Sequence, residues 1–183
     1  MLHFSDNCTP NDDTRYWKLG NFLPILLEKF RMCVTPGKFI SIDETLVGFK
    51  GRLSFLQYIP TKRSRFGIKL FVLVDHDTGF VLAVLPYEGK KTKLVDNATI
   101  SRKNIGFGGT AAYTLLQPYL GLHHVVVMDS WFTSPTLAYC LLDKNTYLLG
   151  TVAKKRKNMP VMKKKLKKGD VNVFTDGKLM IEQ

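Results

Sequence analysis

The 183 residues include 45% hydrophobic and 23% charged side chains, with 14 Gly and 8 Pro, a globular composition that excludes collagen, low-complexity and disordered classes. The length suits one domain with a sizeable core and is too short for an ordinary multidomain enzyme. Lys and Arg number 27 against 15 acids, for a formal charge of +12 and a pI near 9.7, so a polyanion is the first partner to consider.

The N-terminus MLHFSDNCTP lacks the apolar stretch of a signal peptide, and no run approaches the roughly 18 apolar residues of a membrane span. An intracellular protein with no membrane partner is expected. In DDTRYWKLGNFLPILLEKFRMCV, Trp17, Leu19, Leu23, Leu26, Leu27 and Phe30 fall near helical spacing, and Thr35, Pro36 and Gly37 stop the pattern. KFISID then alternates, with Phe39, Ser41 and Asp43 on one face and Ile40 and Ile42 on the other, placing Asp43 at the strand's C-terminal end. In the basic stretch FKGRLSFLQYIPTKRSRFG, Phe49, Phe55, Tyr58 and Phe66 interleave with Lys50, Arg52, Lys62, Arg63 and Arg65. Such a stretch can stack on bases and bind phosphates, or simply half-bury its aromatics on a hairpin.

IKLFVLV is a near-continuous apolar run, and DHDTG turns it into FVLAVLPYEG, a predicted hairpin. GFGGTA loosely matches a dinucleotide fingerprint, but the polar DNATISRKNI before it cannot supply the required strand, so it reads as a flexible entry to the short helix TAAYTLLQPYLG. HHVVVMDS reads as a buried strand, SPTLAYCLLDKN as a helix N-capped by Ser134, and YLLGTVA as another strand. His123 and His124 point to opposite faces and make poor joint metal ligands; His3 and His76 lack suitable neighbours. Cys8, Cys33 and Cys140 show no CxxC spacing and read as reduced thiols, so no zinc is expected.

Lys154 to Lys168 holds nine basic residues and no acid, namely Lys154, Lys155, Arg156, Lys157, Lys163, Lys164, Lys165, Lys167 and Lys168. This tract carries most of the net charge, as a solvated run, a nuclear-localisation signal or a nucleic-acid contact. DVNVFTDGKLMIEQ reads as a hairpin turning at Asp176 and Gly177, and its abrupt end suggests a fragment.

Asp43 and Asp129 each follow an apolar strand, in FISIDE and VVVMDS. If those strands are neighbours, both carboxylates emerge at one sheet edge, where a hard cation such as Mg²⁺ or Mn²⁺ relieves their repulsion and metal-assisted phosphoryl transfer becomes available. The same residue at a strand end is also a common turn or cap. Asp75 and Asp77 lie in an evident turn.

SIDETLVGFKGRLSFLQYIPTKRSRFGIKLFVLVDHDTGFVLAVLPYEGK, followed by VVVMDSWFTSPTLAYCLLDKNTYLLGTVAKKRKNMP, resembles the catalytic domain of piggyBac-like transposases and their domesticated derivatives. The similarity runs from about Pro36 to Gln183 and includes FKGR, QYIP, GIKL, FTS, GT and a basic tract ending in Pro. It implies an α/β, RNase H-like mixed sheet flanked by helices, in which Asp43 and Asp129 are the first two catalytic acids and hold Mg²⁺ or Mn²⁺ for DNA strand cleavage and transfer. It also implies transposon-end and target DNA as partners and the nucleus as location, and allows a homodimer. The resulting layout is a helical approach segment over 1–37, a partial RNase H-like core over 38–153 and the start of a basic insertion over 154–183.

Three departures stand out. Ser130 replaces the usual Asn, Lys62-Arg63 replaces Lys-Pro, and the family's remaining catalytic Asp residues follow the segment matching MIEQ, as does its zinc domain. The expected function is therefore a piggyBac-like transposase domain fragment, itself inactive for want of the third acid. The alternatives are a domesticated DNA-binding protein without cleavage and a decayed product.

Overall fold

The computed structural model describes residues 15–162 and 166–183. His3, Cys8 and Lys163 to Lys165 lie outside the described residues. A 3₁₀ turn at Trp17–Leu19 and the helix α1 (Phe22–Cys33) replace the single helical stretch expected near the N-terminus, with the break at Gly20. The strands are β1 (Phe39–Gly48), β2 (Gln57–Tyr58), β3 (Phe66–Asp75), β4 (Val81–Pro86), β5 (Val125–Met128) and β6 (Tyr147–Gly150), with helices α2 (Arg102–Leu116) before β5 and α3 (Pro135–Leu142) before β6. A separate hairpin, β7 (Val173–Thr175) and β8 (Met180–Glu182), turns at Asp176 and Gly177, and Asp176 Oδ1 accepts the N–H groups of Lys178 and Leu179.

The sheet order is β2-β3-β1-β5-β6, with β4 also on β3. β1 runs antiparallel to β3 and parallel to β5, and β5 is parallel to β6. Two consecutive hairpin-linked strands can pair directly, whereas the parallel steps into β5 and β6 need crossovers, which α2 and α3 provide. The core forms where α2 and α3 meet the sheet: Ile40, Ile42, Phe71 and Leu73 pack with Ala111, Ala112, Leu116, Leu137 and Leu141, all at most 2% exposed. No helix among the described residues is long and apolar enough to cross a membrane.

Three local expectations change. β1 continues to Gly48, because residues 44–48 pair with β3 as far as Gly67, so Asp43 is in mid-strand rather than at its end. α2 starts at Arg102, earlier than TAAYTLL suggests, because Ser101 caps it by accepting the Asn104 N–H. The helix then kinks at Gly106, whose φ of 74° a side chain would strain. Ser134 caps α3 as the sequence indicates, accepting the Leu137 N–H at 3.2 Å with Pro135 in the first turn.

Asp75, at the end of β3, is 2% exposed. Its carboxylate accepts the Thr78 hydroxyl at 2.6 Å, the Gly37 N–H at 2.9 Å and the Thr78 N–H at 3.0 Å. These bonds, the Thr78 hydroxyl foremost, hold its pKa below the ordinary value. The group thus adds stability that is complete above the unfolded value near pH ~4 and is lost as pH falls through the lower folded value. Asp75→Asn is expected to cost roughly 1–2 kcal/mol at neutral pH and to flatten the acid side of the stability curve. Urea unfolding between pH 3 and 7 measures both; an acid limb identical to the parent's contradicts the assignment.

Candidate active site

The parallel ladder between β1 and β5 pairs Phe39 with Val125, Ile40 with Val126, Ser41 with Val127 and Ile42 with Met128. Asp43 and Asp129 are the next residue on each chain, one step past the last paired positions of strands spaced about 4.8 Å apart. Ile40, Ile42, Val126 and Met128 anchor this register by burial in the core, since a one-residue slip turns them to the opposite face. Both aspartates are exposed.

Their environments differ in detail. Asp43 Oδ1 accepts the Glu44 N–H at 2.7 Å. Asp129 Oδ1 accepts the N–H groups of Trp131 at 2.9 Å and Phe132 at 3.4 Å, so the chain leaves β5 in a turn wrapped around its own carboxylate. Neither Oδ2 has a hydrogen-bond partner among the described residues, and neither carboxylate has an ion pair with one. Two hard oxygen ligands facing solvent fit a divalent cation bound partly through water. No group of three or more His, Cys, Asp or Glu side chains suited to a metal occurs among the described residues.

Glu44, next to Asp43 in the sequence, is not placed to act as a third ligand. Strand alternation puts it on the other side of β1 from Asp43, where its carboxylate pairs with Lys69 Nζ at 2.5 Å. Lys69 is itself enclosed by aromatic rings, its ammonium lying 4.8 Å from the Trp131 centroid, 5.2 Å from Phe71 and 5.8 Å from Tyr87. The Trp131 ring stacks on Phe71 at 5.3 Å. This cluster fixes the backbone that follows Asp129, and composition gave no sign of it.

The basic residues divide into three groups. Lys50, Arg52, Lys62, Arg63 and Arg65 are exposed around β2 and the adjoining ends of β1 and β3, where Tyr58 and Phe66 pair across strands with centroids 4.8 Å apart. Phe49, Tyr58 and Phe66 are also exposed, but Phe55 is buried and leaves the set of candidate stacking rings. Lys154, Lys155, Lys157, Lys167 and Lys168 are exposed. Arg156 is different: it turns inward, and its Nη2 donates to the carbonyls of Ser130 at 2.8 Å and Trp131 at 2.6 Å. Residues 154–159 are therefore folded against the Asp129 turn, and Asn158 Nδ2 reaches Thr136 Oγ1 on α3.

Other polar candidates are structural in this fold. His124 Nδ1 donates to the Gly37 carbonyl at 2.8 Å, joining the start of β5 to the approach of β1, while His123 is exposed with a φ of 61°. Burial raises the pKa of the Cys140 thiol, which disfavours the thiolate needed for nucleophilic or metal chemistry. A hollow of about 510 Å³ between α3, β6 and the β7-β8 hairpin is lined by Leu148, Met162 and Ile181 among others, and neither Asp43 nor Asp129 borders it.

A family model described as Transposase IS4 matches residues 1–182. The chain belongs to that family. It is piggyBac-like: it is 27% identical over 186 residues to human PiggyBac transposable element-derived protein 3, covering 97% of this chain and 30% of that protein. The human chimeric ERCC6-PGBD3 protein matches with the same identity, over 17% of its length. Among solved structures, a piggyBac transposase in a synaptic complex with hairpin DNA, determined by cryo-EM, superposes with a TM-score of 0.84 at 26% identity, covering 98% of this chain and 37% of that one. The chain thus spans about a third or less of these proteins, and its mixed α/β sheet has the RNase H-like arrangement that the resemblance implies. In this piggyBac-like domain, sequence reasoning missed the inward role of Arg156 and the Lys69 cluster because both depend on contacts between distant segments.

Proposed function

We propose that this piggyBac-like domain contributes Asp43 and Asp129 to a divalent-metal site for DNA strand cleavage and transfer. The observation that carries the reading is the β1-β5 register, which brings the two acids to adjoining positions, each with an oxygen that has no partner among the described residues. Mg²⁺ or Mn²⁺ bound there supplies Lewis-acid activation of the attacking oxygen and charge neutralisation at the phosphate. The protein's part is to hold two carboxylates at fixed positions on a rigid sheet, with Asp129 oriented by the amides of Trp131 and Phe132.

DNA is the proposed substrate and partner, a reading supported by the solved neighbour, which is a synaptic complex with hairpin DNA. The exposed Lys50, Arg52, Lys62, Arg63 and Arg65 around β2, with the exposed Lys154, Lys155, Lys157, Lys167 and Lys168, give the phosphate-binding surface, and action in the nucleus accords with both. DNA binding without cleavage is the second reading, favoured by the lack of a third metal-type ligand beside the pair among the described residues.

Mn²⁺ binding, followed by electron paramagnetic resonance, tests the metal site. Asp43→Asn and Asp129→Asn are each expected to weaken binding by more than about tenfold, the least that loss of an outer-shell partner costs a metal centre. Affinity unchanged in both variants removes the catalytic assignment.

A further inference from the structure

We infer that Arg156 is a positioning residue for Asp129, holding in place the two peptide groups that aim its carboxylate. The inference rests on the metal-site reading of Asp129 for its functional meaning, but its geometry is independent of that reading. Asp129 Oδ1 accepts the N–H of Trp131 and the N–H of Phe132. These belong to the peptide units whose carbonyls are those of Ser130 and Trp131. Arg156 Nη2 donates to both of those carbonyls, at 2.8 and 2.6 Å. Each planar peptide is therefore gripped at both ends, by the carboxylate on one side and the guanidinium on the other. Turning either plane breaks two charge-assisted hydrogen bonds at once.

Four further observations narrow the role. Arg156 Nε is buried and without a partner among the described residues, so the side chain is directed into protein rather than displayed to a polyanion. The described lysines on either side of it in the tract are exposed. α2 also comes so close that a Cβ at Gly108 would lie 2.5 Å from the Trp131 carbonyl oxygen, which leaves that peptide little room to swing away. The Trp131 ring is itself held by stacking on Phe71. Arg156 thus acts on the metal site through the backbone, with its own charge on the far side of two peptide groups from the carboxylate.

The test uses the 183-residue chain with Arg156→Gln, which removes charge and bonds, and Arg156→Lys, which keeps the charge but ends one bond short of the two carbonyls. Amide hydrogen exchange by NMR reads the Trp131 and Phe132 N–H groups against the Val126 and Val127 amides in the sheet. Both variants are expected to lose about 10- to 100-fold protection at Trp131 and Phe132 alone, and to bind Mn²⁺ roughly 10- to 100-fold more weakly, as for other outer-shell orienting residues. Unchanged protection at these two amides in Arg156→Gln overturns the inference. So does loss spread across the sheet, which marks general support, and so does full recovery in Arg156→Lys, which marks a role of charge alone. If the parent chain binds Mn²⁺ no better than Asp129→Asn, the metal-site reading fails, and the exchange result still decides whether Arg156 holds the turn.

Discussion

Phe71→Ala is expected to destabilise the domain by about 4 kcal/mol, most of the stability of a protein at the low end of the ordinary range of about 5–15 kcal/mol. Phe71 is fully buried in mid-β3, paired with Glu44 on β1. Its ring meets Trp131 at 5.3 Å, Phe132 at 5.9 Å, Tyr87 at 6.0 Å and Phe107 at 6.1 Å, so one side chain joins β3, β4's exit, α2 and the turn after Asp129. Truncation removes the shared partner of four rings, and a cavity bordered by three separate elements cannot collapse without shifting all of them. Phe71→Leu refills much of the volume and is expected to cost only about 1–1.5 kcal/mol. Urea titration gives the comparison, with an unchanged m-value as the sign that stability alone has moved. A loss below about 1 kcal/mol in Phe71→Ala would falsify the central place given to this residue.

The second expected result concerns DNA: the 183-residue chain binds it and does not cut it. Binding by exposed lysines releases counterions, so the logarithm of affinity falls with the logarithm of salt by about 0.9 for each phosphate neutralised. Replacing Lys154, Lys155 and Lys157 together with Gln is expected to flatten that slope by roughly 2 to 3 if all three touch phosphates. Arg156 is left in place in this triple variant because its guanidinium is bonded to the Ser130 and Trp131 carbonyls. Cleavage needs more than attachment. Two-metal chemistry requires enough carboxylate oxygens to hold both ions in line with the scissile phosphate, and at the proposed site Asp43 and Asp129 alone would leave a second ion held mostly by water. A misplacement of about 1 Å costs on the order of 100-fold in rate. Glu44 cannot repair the deficit, being paired with Lys69 on the other side of β1. With Mg²⁺ or Mn²⁺, nicking by the chain should match that of Asp43→Asn; nicking present in the parent chain and absent in the variant shows that two acids suffice. A salt slope unaltered by the triple substitution returns this tract to the role of a solvated surface.

Several features were legible in the residue order because their causes are local. The DHDTG turn, the Ser134 cap before Pro135 and the Asp176-Gly177 turn each follow from the conformational preferences of a few adjacent residues. The buried alternation of Ile40 and Ile42 and the apolar run VVVM marked two core strands, and the Asp after each marked the candidate acids. Motif resemblance supplied the family, which the match over residues 1–182 bears out.

The rest was decided by which segments meet. Nothing within β1 alone could end it at Asp43 or carry it to Gly48; pairing with β3 did that, by satisfying the backbone groups of residues 44–48. The sequence placed Arg156 in a uniform basic tract, since a charge run has no internal signal distinguishing the one member that turns inward. Only the packing of residues 154–159 against α3 and the Asp129 turn made two unspent carbonyls available to its guanidinium. Likewise, Lys69 and Glu44 are 25 positions apart in the chain and became partners through strand register, inside rings contributed by β3 itself and by two further segments. Local chemistry thus named the two acids, while tertiary packing determined what surrounds them, because orienting a carboxylate takes hydrogen bonds and ring contacts from segments that meet only in the folded chain.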